Sequence, residues 1–109
     1  MSFRKVTAII RPDRLEAVED RLRDLAVPGI SVTKVKGYGE YANFYTQDWM
    51  LTHARVEVFI GEQRADEIVS AIMDAAHTGM EGDGIVAVLP VESVYHVRTR
   101  KKCEHDVCN

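Results

Sequence analysis

Cysteine is nearly absent from this chain: of 109 residues only two are cysteines, Cys103 and Cys108, both within the last seven positions. A disulfide scaffold spreads its cysteines through the fold, so that class is excluded and any thiol chemistry belongs to the tail. A cationic excess is missing too. Fourteen Lys and Arg stand against 17 Asp and Glu, a formal net charge of −3, which lacks the electrostatic footprint of a nucleic-acid binder. No apolar run approaches the about 20 residues needed to span a bilayer; Ile85 to Val91 is the kind of stretch present. The first residues, Met1 to Lys5, hold no signal-peptide apolar segment, so a cytoplasmic protein without membrane insertion or nucleic-acid partner is expected. What remains is 46% hydrophobic and 28% charged, a balance that excludes disorder and suits one domain burying roughly two-thirds of its unfolded surface.

Local patterns give an element order. Lys5 to Ile10 is short and β-branched, and Arg11-Pro12 closes it as a strand end leading into a helix. From Asp13 to Leu25 the apolar residues Leu15, Val18, Leu22 and Leu25 recur at helical spacing. Pro28-Gly29 ends that helix, Ile30 to Lys36 alternates as a second strand, and Ala54 to Ile60 alternates as a third. Ala65, Ile68, Val69, Ile72 and Ala76 trace a second helical face, followed by a strand from Ile85 to Leu89 and an alternating arm from Ser93 to Arg98. The order β-α-β-β-α-β predicts an α+β, ferredoxin-like fold: a four-stranded antiparallel sheet with both helices on one face. Thr7, Ile9, Phe59 and Val86 or Val88 are expected on the uncovered face, whose apolar character points to an oligomer.

Two segments exceed what the fold requires. Residues 38–53 join two strands where a hairpin needs two to five residues, and they hold Tyr38, Tyr41, Phe44, Tyr45 and Trp49, five of the eight aromatics. Such a loop either packs on the protein itself or serves as a recognition loop. Thr78 to Gly84 holds three glycines; it is either a plain helix exit or a nest of N–H donors for an anion. No nucleophile stands beside a base, so no catalytic residue is named. Cys103-x-His105-x-x-Cys108 offers three zinc ligands where a structural site takes four, so no metal or cofactor is expected.

Four ordered motifs carry a resemblance: Ala8-Ile9-Ile10-Arg11-Pro12, the run from Gly29 through Tyr38-Gly39, Thr78-Gly79 with Gly82-Asp83-Gly84, and Leu89 through Arg98-Thr99. The chain resembles the PII signal-transduction family from about Lys5 to Thr99. The resemblance implies a non-enzymatic homotrimer of ferredoxin-like subunits that binds adenine nucleotides between subunits and signals to a protein target through the loop at 38–53. It implies that Ile9, Ser31 and Gly37, Tyr38 and Gly39 line the adenosine side. Gly82, Asp83 and Gly84 then donate to phosphate, and Arg98 pairs with phosphate from the adjacent subunit. Residues 1–99 are accordingly read as the PII-like domain and 100–109 as a cysteine-containing tail.

The departures from the family pattern narrow the reading. Lysines that follow the Thr-Gly pair and the Gly-Asp-Gly turn are Met80 and Ile85 here, and His96 stands in for one of two late arginines. Each lost charge-assisted partner removes about 1.5–3 kcal/mol, so ADP or AMP is expected in preference to ATP. Glu40 and Tyr41 at the loop base, and the missing motif around the modified tyrosine, weigh against 2-oxoglutarate sensing and uridylylation. The tail, with Arg100-Lys101-Lys102 before Cys103 and Cys108, resembles PII-like proteins of inorganic-carbon uptake and carboxysome gene neighbourhoods. That likeness adds bicarbonate as a candidate ligand, with Lys36, Gly39 and Arg98 as its candidate contacts, and Cys103 and Cys108 as a candidate redox pair. A nucleotide-hydrolysing enzyme and an assembly component with a vestigial cleft are the competing functions.

Overall fold

The computed structural model describes residues 2–37 and 51–104. Strand β1 (Phe3–Ile10) leads through a 3₁₀ turn at Pro12–Arg14 into helix α1 (Leu15–Asp24). Strands β2 (Ser31–Gly37) and β3 (Leu51–Gly61) follow, then a second 3₁₀ turn at Glu62–Arg64 and helix α2 (Ala65–Ala76). Strand β4 (Gly84–Val91) completes the sheet, and β5 (Tyr95–His96) pairs with β6 (Lys101–Lys102) as a small hairpin. The sheet order is β2-β3-β1-β4 with every neighbour antiparallel. This is the expected ferredoxin-like α+β arrangement.

Alternation explains the core. Val6, Ala8 and Ile10 of β1 and Ala54, Val56, Val58 and Ile60 of β3 face the helices, where Val18, Leu22, Ile68, Ile72 and Ala76 close over them. The two halves are built alike. Pro12–Arg14 and Glu62–Arg64 each turn a strand into a helix, and each ends in an arginine that reaches across to the other half. Arg14 Nε and Nη2 donate to Ala75 O at 3.0 and 2.6 Å, at the end of α2. Arg64 Nη2 donates to Leu25 O, at the end of α1. Each helix therefore has its last carbonyls met by a cation from its partner, where the helix dipole is negative.

Three expectations need correction. Register pairs Val88 with Val6 and Val86 with Ala8, and directly opposed residues share a face, so Val86 and Val88 point toward the helices. Ile85, Ala87 and Leu89 take the open face, opposite Ile9, Thr7 and Lys5. That face is mixed rather than apolar: Phe59, Ile85 and Leu89 are exposed beside a belt in which Lys5 Nζ meets Glu57 Oε2 at 3.1 Å. Finally, β3 begins at Leu51, so residues 51–53 of the predicted loop are strand, while 38–50 lie outside the described residues.

Candidate functional site

The turn after α2 is assembled around one carboxylate. Asp83 accepts from Thr78 N at 2.8 Å, Gly79 N at 3.0 Å, Arg11 Nε at 3.0 Å and the Thr78 hydroxyl. Arg11 Nη2 also donates to Glu81 O, and Thr78 Oγ1 accepts from Met80 N at 3.1 Å. Partial burial pushes the Asp83 carboxyl up, but these donors outweigh it and hold its pKa well below the usual carboxylate range. Arg11, at the end of β1, thus clamps the turn to the sheet. Gly84 has φ +113, and a Cβ there would lie 1.8 Å from Ile9 O; only glycine lets β4 begin so close to β1. A cavity of about 230 Å³ lies behind the turn, walled by Ile10, Ala76, His77, Gly84 and Val86.

A second concavity lies across the sheet. A groove of about 460 Å³ runs between Gly29–Ser31, the open-face residues Glu57 and Phe59, and the hairpin strand with Tyr95 and His96. The hairpin is closed by Arg100 N to His96 O and Cys103 N to Val94 O, both 2.8 Å. Arg100 takes a positive φ of 62 at its turn, and Arg98 is exposed there. Cys103 is buried and disulfide-bonded, which removes it as a zinc thiolate; Cys108 lies outside the described residues.

The two concavities sit on opposite edges of the sheet. Ser31 opens β2 and Gly84 opens β4, the two outer strands, so three strand spacings, about 14 Å, separate them. A match to the sequence model of the Nitrogen regulatory protein P-II family covers residues 3–101. The chain belongs to the PII family. Among relatives of the PII chain, Nitrogen regulatory protein GlnK2 of Haloferax mediterranei is 39% identical over 104 residues, spanning 88% of this chain and 84% of the relative. Nitrogen regulatory protein P-II of Azospirillum brasilense is 36% identical over 108 residues, spanning 92% and 96%. The crystal structure of Arabidopsis thaliana PII bound to citrate superposes with a TM-score of 0.84 at 30% identity, over 98% of this chain and 92% of that one.

The PII chain divides the predicted site residues by their position along the strands. Ile9, at the end of β1 on the open face, lies at the same end of the sheet as Gly82, Asp83, Gly84 and Gly37, the last residue of β2. Ser31 and the hairpin carrying Arg98 form the other set. Tyr38 and Gly39 lie outside the described residues. Lys36 is exposed near the end of β2, five residues or about 17 Å along the strand from Ser31. The division at 99/100 falls inside the hairpin turn. Sequence reasoning missed Arg11 as the clamp and the groove-lining Glu57, Phe59 and Tyr95; strand alternation with Phe59 on the open face was the available signal.

Proposed function

We propose that this PII chain is a non-enzymatic regulatory protein that binds an adenine nucleotide between neighbouring copies of a homotrimer. One observation supports the reading: Ser31 opens β2 and Gly84 opens β4, on opposite edges of the sheet of a single chain, so a ligand touching both takes one from each of two subunits. Glycines 82 and 84 then offer backbone donors to phosphate from one copy, and Ser31 and Arg98 come from the next. The absence of lysine at positions 80 and 85 favours ADP or AMP over ATP. The turn supports this preference, because Arg11 is already committed to Asp83 and Glu81 and adds no free charge for a third phosphate.

Bicarbonate is proposed as a second ligand, in a role linked to inorganic carbon, with Lys36 and Gly39 of one copy and Arg98 of another as contacts. The segment joining β2 to β3 carries the signal to a protein target. Calorimetric titration with AMP, ADP and ATP, with and without bicarbonate, tests these assignments together. ADP and AMP are expected to bind more tightly than ATP, without ATP turnover. Arg98→Ala should weaken ADP tenfold or more, the equivalent of about 1.5–3 kcal/mol for a charge-assisted contact. Unchanged ADP affinity in that variant removes Arg98 from the site.

A further inference from the structure

Nothing in the nucleotide reading occupies the cavity of about 230 Å³ behind the turn after α2. Its apolar walls come from three elements: Ile10 at the end of β1, Met73 and Ala76 of α2, and Ile85 and Val86 of β4. Small residues hold it open. Ala76 presents only a methyl group, and Gly84 cannot be enlarged, because a Cβ there would lie 1.8 Å from Ile9 O. Protein interiors keep few voids larger than a water molecule, and an apolar space of about 150 Å³ takes a benzene ring. This one therefore has room for a single six-membered ring or its equivalent in carbon atoms.

Two polar side chains reach the wall, His77 and Asp83, and they differ in what they have left to offer. Both Asp83 oxygens are taken, Oδ1 by Arg11 Nε and the Thr78 hydroxyl, Oδ2 by the backbone amides of Thr78 and Gly79. The His77 amide donates to Met73 O at 3.0 Å, whereas its imidazole has no hydrogen-bond partner among the described residues. That ring rests against the turn, where a Cβ at Gly79 would stand 3.7 Å from His77 Cε1. Charge then narrows the ligand. Among the described residues no Lys or Arg lines the cavity, and α2 ends there with its negative pole, so an anion is disfavoured. An ammonium group finds no uncommitted carboxylate. A neutral imidazole both donates and accepts, which matches a hydroxyl group.

We propose that this cavity is a second binding site, for a small uncharged molecule with an apolar body of about one ring and a single hydroxyl that pairs with the His77 imidazole. Shape selects the body and one hydrogen bond fixes its orientation. The inference goes beyond the nucleotide reading and does not depend on it.

The test is titration of the nucleotide-free protein with phenol, followed through the methyl NMR signals of Ile10 and Val86, with benzene and benzoate as comparisons. Phenol should shift both signals saturably, and benzoate should bind about tenfold more weakly or worse, because its charge loses water on entry. Ala76→Leu fills the space and should abolish the phenol shifts. His77→Ala, a change at an exposed position, should weaken phenol about tenfold and leave benzene unchanged; this contrast carries the test alone should the leucine variant not fold. Shifts that never saturate, or that persist in a folded Ala76→Leu, overturn the site. Benzoate binding as tightly as phenol, or equal phenol affinity with and without the His77 imidazole, overturns the assigned ligand class. No nucleotide is present in any arm, so failure here leaves the nucleotide reading standing.

Discussion

Asp83 shows how one side chain can organise a whole turn. Its carboxylate collects four donors from Arg11, Thr78 and Gly79, so Asp83→Asn, which keeps the shape and removes the charge, should lower stability near pH 7 by about 1–3 kcal/mol. The pH dependence follows from the direction of the shift. The native carboxyl is held below its ordinary value, whereas in the unfolded chain it titrates near 3.9. Its contribution is therefore complete above about pH 4 and lost progressively as pH falls toward the native value. The gap between the urea midpoints of the two proteins, measured from pH 7 down to 3, should begin to narrow below about pH 4; a constant gap would show that ionisation of Asp83 is not what holds the turn.

At the scale of elements, the paired arginines offer a direct measurement. Arg14→Ala and Arg64→Ala should each cost about 1–2 kcal/mol, because each strips a charged donor from the carbonyl end of a helix; equilibrium unfolding that shows no loss in either would assign those contacts no energetic weight. Much of this architecture was legible beforehand. The alternating strands and the 3-4 spacing of Leu15, Val18 and Leu22 declare themselves because each buries a single face. β4 did not, since Ile85 to Leu89 is apolar throughout and has no period to reveal which side faces inward; pairing with β1 decides it. The start of β3 at Leu51 was hidden because no turn residue stands before it in the sequence, only the aromatic-rich stretch ending in Trp49-Met50. At the site, Gly82 and Gly84 were readable as important, yet glycine alone does not distinguish an anion nest from a close strand crossing. The clamp by Arg11 is a contact across 72 positions, which no local pattern encodes.

For the molecule as a whole, the sheet's outer strands β2 and β4, unpaired on their outer sides among the described residues, and a half-exposed open face demand cover. Leu89, exposed on that face and opposite Lys5, touches neither concavity, so Leu89→Asp should shift the sedimentation mass from three chains toward one while leaving the monomer folded. A trimer mass unchanged in that variant would place the assembly surface elsewhere. The exchange of arginines between the halves has a further consequence for how the chain comes apart. Because α1 is finished by Arg64 and α2 by Arg14, loss of either half deprives the other of its helix terminator. The duplicated architecture thus lacks the modularity its symmetry suggests: neither half carries its own helix terminator, and the two βαβ units are expected to melt together in one cooperative step.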